Sequence, residues 1–235
     1  LKGKLPKGTY ALTYGNLPWA FMSLLYGAGG TLENDMDDLT KDVWRKPMEK
    51  LKEAYDAGVI APMDVDGEQA FGSGKAVFAQ LGTWAQGNMS NTLGADKIAE
   101  ANTLQYSADN PVNFFYQCNW MQLKDPHRSA AKSAAAADFV KYVYEHWMDW
   151  SEVGSISPAY RDLNNPEYQK LIQASFTNSK KERDYIKTSN YLYGGYATAG
   201  WGTYNDIVYG NVGLEEGLKT LDLMAQGQIE IQEES

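Results

Sequence analysis

The side chains in this sequence best equipped for chemistry are aromatic and neutral rather than nucleophilic or metal-binding. Sixteen Tyr and seven Trp stand against seven Phe, so most rings carry a hydrogen-bonding edge beside a flat apolar face. Such rings suit wet binding surfaces. In the stretch FAQLGTWAQGN, residues 78–88, Trp84 follows a Gly-Thr pair where a strand-like run gives way to a helix. A ring that large at a turn is either a plug for the core or a platform for a ligand. Packing is the plain alternative for every aromatic here, and Trp44 and Trp147, which sit on helical stripes, read as core.

Motifs for catalysis fail on spacing. The run Gly72-Ser73-Gly74-Lys75 is glycine-rich and ends in lysine, but a phosphate loop needs four residues between its glycines and a Ser or Thr after the Lys. Ala76 follows instead. The glycines at 27, 29 and 30 come after an apolar helix, not after a strand, and so stop that helix rather than bind a dinucleotide. No G-x-S-x-G nucleophile elbow occurs. A single cysteine, Cys118, rules out an internal disulfide framework. With His127 and His146 as the only histidines, no zinc constellation and no cofactor are expected. Thirty carboxylates leave a glycosidase pair open, though none is singled out. An enzyme is the weaker expectation.

The chain has 235 residues, 43% of them hydrophobic, enough for a sizeable core. No apolar run approaches the ~20 residues of a membrane span. A net charge of −9 and a pI near 4.8 argue against nucleic acid or an anionic membrane surface as partner. The opening LKGKLPKGTY lacks the charged-then-apolar pattern of a secretion signal, which is therefore expected to lie outside this sequence.

The elements that must position the aromatics alternate strands with longer helices, an α/β pattern. TYALTYG, residues 9–15, alternates as a strand and is punctuated by Gly15-Asn16. NLPWAFMSLLYGAGG reads as a short buried helix, with Pro18 in its first turn and Gly29-Gly30 as its stop. ENDMDD is an acidic turn without the glycine and terminal glutamate of a calcium loop; calcium is a minor alternative. A helix from Thr40 to Gly58 carries Trp44, Met48, Leu51 and Tyr55 on one face, with Pro47 as a potential kink. EQAFGSG reads as a short helix and KAVFAQL as a buried strand. SAAKSAAAADFVKYVYEHW is the clearest helix, with a buried stripe expected at Phe139 or Val140, Val143 and Trp147. NPEYQKLIQASF starts another. GWGTYNDIVYGNVG and LEEGLKTLDLMAQGQ are the last two helices, the final one with Leu214, Leu218, Leu221 and Ala225 on one face.

The order of these segments resembles the family-1 extracellular solute-binding proteins of bacterial ABC importers, relatives of maltose-binding protein. NLPWAFMSLLYGAGG, PMEKLKEAYDAGVIAP and AFGSGKAVFAQLGTWA carry the likeness. So do AAAADFVKYVYEHW with its following SEVGSISPA, and GWGTYNDIVYG with LEEGLKTL. The F-x-x-G-K-A-x-x-x-x-x-G-x-W run, Phe71 to Trp84, is the most specific, and five pieces in order span nearly all of the chain. The resemblance begins at the family's middle. It implies the two-lobed periplasmic-binding-protein fold, with residues 1–105 and 160–235 in the second lobe. Residues 106–159 would belong to a first lobe whose opening part has no counterpart here.

The resemblance also implies a role. In the family, the Trp of the Gly-x-Trp turn faces the cleft between lobes and stacks on a sugar ring, and Trp84 matches that position. Trp19 and Trp201 match other cleft-facing aromatics, and Trp120 is a fourth candidate. Asn16, Asn119 and Asn205 lie beside these rings and would serve sugar hydroxyls as donors and acceptors. Where maltodextrin-binding members carry an arginine this sequence has Asn205, and where they carry an acidic cleft residue it has Leu17, so maltodextrin is not the ligand implied. The expected protein is an oligosaccharide receptor without catalytic activity, tethered by a lipid anchor at the outer face of a bacterial cell membrane or free in a periplasm. It would hand its ligand to permease subunits. A glycoside hydrolase with an aromatic cleft and a peptide or amino-acid receptor of the same fold are the alternatives.

Overall fold

The computed structural model describes residues 3–15, 17–114, 120–153, 162–174, 183–185 and 190–234; the side chains at 114, 183–185, 190–192 and 197–201 fall outside that description. Among the described residues the elements run β1 (Tyr10–Tyr14), α1 (Leu17–Gly27), α2 (Leu32–Asp35), α3 (Asp42–Asp56), α4 (Gly67–Gly72) and β2 (Ala76–Gln80). A 3₁₀ turn, Thr83–Ala85, leads into α5 (Gln86–Leu93), followed by β3 (Val112–Phe114), α6 (Ala130–Glu145) and α7 (Trp147–Glu152). A second 3₁₀ turn, Tyr168–Lys170, precedes β4 (Arg183–Tyr185), α8 (Asn190–Val208) and α9 (Leu214–Glu233). The α/β class expected from the sequence is the class observed.

The chain divides into two compact units. One comprises Leu1–Gly82, Asn102–Phe115 and Lys180–Ser235; the other comprises Thr83–Ala101 and Tyr116–Ser179. In the larger unit, β1 and β2 pair in parallel with Tyr14 opposite Gln80. On the other side of β1, the Leu12 amide donates to the Val59 carbonyl at 3.0 Å and the Ala61 amide to the Leu12 carbonyl at 2.9 Å. β3 and β4 form a second short parallel pair. Parallel strands need helices over their faces, and α1, α3, α8 and α9 supply the apolar material.

The core of this unit is aromatic at its centre. Phe21 of α1 stacks on Trp44 of α3 with centroids 5.7 Å apart, and Tyr204 of α8 tilts against Phe21 at 5.0 Å. Trp44 is wholly buried, and its indole N–H donates to the Asp35 carbonyl at 2.8 Å. The core reading of Trp44 therefore holds. The stripe of α3 behaves as its spacing predicts for Trp44, Met48 and Leu51, which are buried. The helix runs on through Pro47, since a proline in the second turn gives up one backbone bond only.

α8 begins ten residues earlier than its sequence suggests. Glycines at 194, 195 and 200 disguise the helix, yet two of them allow α9 to come close. A Cβ on Gly195 would meet Ile229 Cγ1 at 2.9 Å, and one on Gly194 would run into the Gln232 amide. Gly217 of α9 does the same in reverse, where a Cβ would overlap the Ile207 side chain. Leu218, Leu221 and Ala225 are buried as their spacing predicts.

In the smaller unit, Gln173 is the buried polar anchor. It accepts from Gln86 Nε2 at 2.7 Å and donates to the Ser151 carbonyl at 2.8 Å. Trp147 tilts against Tyr168 at 5.7 Å. Two expectations need correction here. The segment from Asn165 opens with a 3₁₀ turn, where Asn165 Oδ1 accepts from the Glu167 amide at 2.8 Å, and becomes α-helical only at Gln173 and Ala174, later than expected. The alanine-rich segment is the helix expected, capped by Ser129, but it breaks at His146 and none of its residues is buried. Of the expected stripe, Phe139 and Val140 stay exposed, while Val143 and Trp147 are partly covered.

Candidate ligand-binding surfaces

The 3₁₀ turn at Thr83–Ala85 holds Trp84 at the start of α5. Trp84 is 50% exposed, in contrast to Trp44 at 0%. Ala85, the next residue, is buried, so the turn is anchored through its neighbour and the indole is left out of the core. Trp120, in the same unit, is 61% exposed and meets Phe139 edge-on with centroids 5.6 Å apart. That contact makes a small aromatic corner against α6.

The larger unit carries Trp19 and Asn205, both partly exposed. Trp19 follows Pro18 in the first turn of α1, and the Pro18 carbonyl accepts from the buried Tyr196 hydroxyl of α8. Asn205 follows Tyr204, whose ring packs on Phe21. Two core contacts therefore hold together the helices on which Trp19 and Asn205 stand. Trp201 lies on α8 between Tyr196 and Tyr204, and its side chain lies outside the described residues. Asn16 and Asn119 also lie outside them. Leu17, where the resemblance implied an acidic group in maltodextrin-binding members, is buried.

Two polar side chains that the sequence did not single out stand at the carboxyl ends of the parallel strands. Tyr14 and Gln80 are register partners, so their side chains share one face of the pair. The Tyr14 hydroxyl and Gln80 Oε1 are sealed from solvent with no hydrogen-bond partner among the described residues. Burial pushes the Tyr14 phenol well above its ordinary range, with Tyr209 nearby adding to the shift. The signal available in sequence was position. The last residue of a strand before Gly15-Asn16 marks the strand end where open α/β sheets bind ligands.

The charges of the acidic turn are spent locally. In the acidic turn, Asp37 pairs with Lys41 at 2.5 Å, Asp38 accepts from Thr40 Oγ1 at 2.6 Å, Asp35 accepts from the Thr31 amide at 2.8 Å and Glu33 accepts from Tyr26. The hydrogen bond from Lys41 holds the Asp37 carboxyl below its usual range, and that from Thr40 does so for Asp38. This turn is a set of local caps. Glu100, in the smaller unit, has its carboxyl raised by burial. Among the described residues no group of three His, Cys, Asp or Glu could hold a metal ion, and no helix is long and apolar enough to cross a membrane.

No protein-family model matches the chain, and no curated protein sequence is significantly similar to it. Solved structures are similar in fold. The maltose/maltodextrin-binding domain from Bdellovibrio bacteriovorus, bound to maltotriose, matches 97% of this chain and 62% of its own, with a TM-score of 0.69 at 14% identity. The cyclic α-maltosyl-1,6-maltose binding protein from Arthrobacter globiformis matches 95% of this chain and 60% of its own, with a TM-score of 0.64 at 14% identity. An ABC transporter solute-binding protein from Thermotoga lettingae, bound with α-D-tagatose, matches 93% of this chain and 60% of its own, with a TM-score of 0.58 at 16% identity. The chain thus spans about three-fifths of the length of each. Over that span it has the α/β fold of the ABC solute-binding proteins, as the order of its motifs implied.

Proposed function

We propose that this chain is part of an extracellular carbohydrate receptor that delivers its ligand to an ABC importer and does no chemistry on it. The observation that carries the reading is the fold shared over nearly all of the chain with three proteins named for, or bound to, sugars. The half-exposed Trp84 on its Gly-Thr-Trp turn supports it. A pyranose presents C–H groups on one face and hydroxyls at its edge, so it needs a flat apolar platform rimmed by neutral donors and acceptors. Trp19, Trp84, Trp120 and Trp201 are the proposed platforms. Asn16, Asn119 and Asn205 are the proposed edge partners.

Residues 1–105 and 160–235 are proposed as second-lobe material and 106–159 as first-lobe material. The bare faces of α6 and the greater length of the similar structures both favour a partner segment for α6 beyond these residues. Sugar would be held where two lobes close, contacting both only in the closed state. A lipid anchor and permease subunits complete the proposal.

The test uses tryptophan fluorescence and product analysis together. Neutral oligosaccharides are expected to change the emission of the complete gene product, Trp84→Ala to remove most of that change, and the recovered sugars to be unshortened. Shortened products would mean a hydrolase, with half-buried Glu100 the first carboxyl to replace. A response to peptides or amino acids but not to sugars would mean a different receptor.

A further inference from the structure

The outward face of α9 carries an apolar stripe that the protein's own packing does not explain. Leu223 is 74% exposed and Ile231 64% exposed, with Met224 beside them. Midway between Leu223 and Ile231, four residues from each, is Gly227. Glycine inside a helix is disfavoured relative to alanine, so a buried reason is the usual explanation, as with Gly217 and Ile207 on the inner face. Gly227 has none: a Cβ there would meet nothing within 4 Å. It is a notch in the outward face of α9, flanked one turn away on each side by a large apolar side chain.

We propose that this face is a two-fold contact between α9 and α9 of a second copy, crossing antiparallel at Gly227. A two-fold axis through that position sets Leu223 against Ile231 of the second copy, and the reverse, while the notch lets the backbones approach. The charges agree with the antiparallel sense. Lys219 and Glu234 lie eight and seven residues from Gly227 on opposite sides, so each faces the other across the axis. Lys219 forms no ion pair among the described residues. Glu230 falls opposite Met224, away from any acidic group of the second copy. One helix crossing buries far less than the ~1,200 Å² of a standard stable interface, so the dimer is weak, in the micromolar-to-millimolar range.

Sedimentation velocity of the 235-residue chain up to millimolar concentration tests this. A dimer is expected, weakened about tenfold or more by Leu223→Glu. Gly227→Leu is expected to weaken it while leaving helix content intact. Lys219→Glu and Glu234→Lys should each weaken it, and the two together restore it. Phe139→Ser on α6 serves as the control for association through the other exposed apolar surface and should leave the dimer unchanged. A chain monomeric at every concentration overturns the proposal. So does an association that survives Leu223→Glu or disappears with Phe139→Ser.

Discussion

At the scale of single residues, Trp84 and Trp44 separate what a tryptophan can do. Trp44 is sealed between Phe21 and Tyr196, with its indole N–H satisfied. Trp44→Ala is expected to cost about 3–5 kcal/mol of stability. Trp84→Ala is expected to leave the melting temperature nearly unchanged, because half its surface is already wet. It should weaken sugar binding by roughly 1–3 kcal/mol, the size of stacking between an aromatic ring and a nucleobase. Melting curves beside binding isotherms for the two variants check both halves. The roles were legible for Trp44, because helical spacing encodes burial. For Trp84 the sequence offered the Gly-Thr turn and a family resemblance rather than a periodic pattern, and Tyr14 and Gln80 escaped because strand pairing joins residues 66 positions apart.

The buried tyrosines set an alkaline limit. Burial raises Tyr14, Tyr196 and Tyr204 above the ordinary phenol value near 10. The folded state therefore holds these protons more tightly than the unfolded state. Their contribution is complete below pH ~10 and is lost as pH rises beyond that value. Ultraviolet titration should show exposed tyrosines ionising first and these three only together with unfolding. Ionisation of all sixteen near pH 10 with the fold intact would contradict their burial.

At the scale of elements, spacing worked where a helix has one apolar face and failed where glycine does the packing. α3 and α9 were readable because large apolar residues recur at helical intervals. The first half of α8 was not, since Gly194 and Gly195 look like a loop and act through the absence of a Cβ. Gly217→Ala tests that packing. The new methyl would overlap Ile207, itself wholly buried, and overpacking of this kind costs ~1–3 kcal/mol. At about 2–4 °C per kcal/mol for a chain of this size, calorimetry should register the loss. A neutral or stabilising effect would mean that α8 and α9 stand further apart. α6 is the opposite case. Its pattern reads as a helix, but a bare 16-residue helix is marginal in water. Its amides are expected to exchange with solvent faster than those of α9, and equal protection would mean that α6 is covered in solution.

At the scale of the molecule, the fold was legible from the order of five short motifs rather than from any one of them. Each is a weak pattern, but strand, helix and glycine turn recur in one sequence of lengths, and chain order constrains topology tightly. The proposed assignment of stretches to lobes rests on the resemblance, because it depends on which surfaces meet and not on local pattern. A small-ligand cleft, as proposed for the complete protein, buries ~70–90% of its ligand between its walls. Calorimetric titration with a panel of neutral oligosaccharides, on the complete gene product and on residues 1–235 alone, tests the receptor reading most directly. Saturable binding by the complete product is expected, weaker by several powers of ten for residues 1–235 if a second wall lies beyond them. No heat with any sugar from the complete product, or micromolar binding by residues 1–235 alone, would contradict a carbohydrate site divided between two lobes.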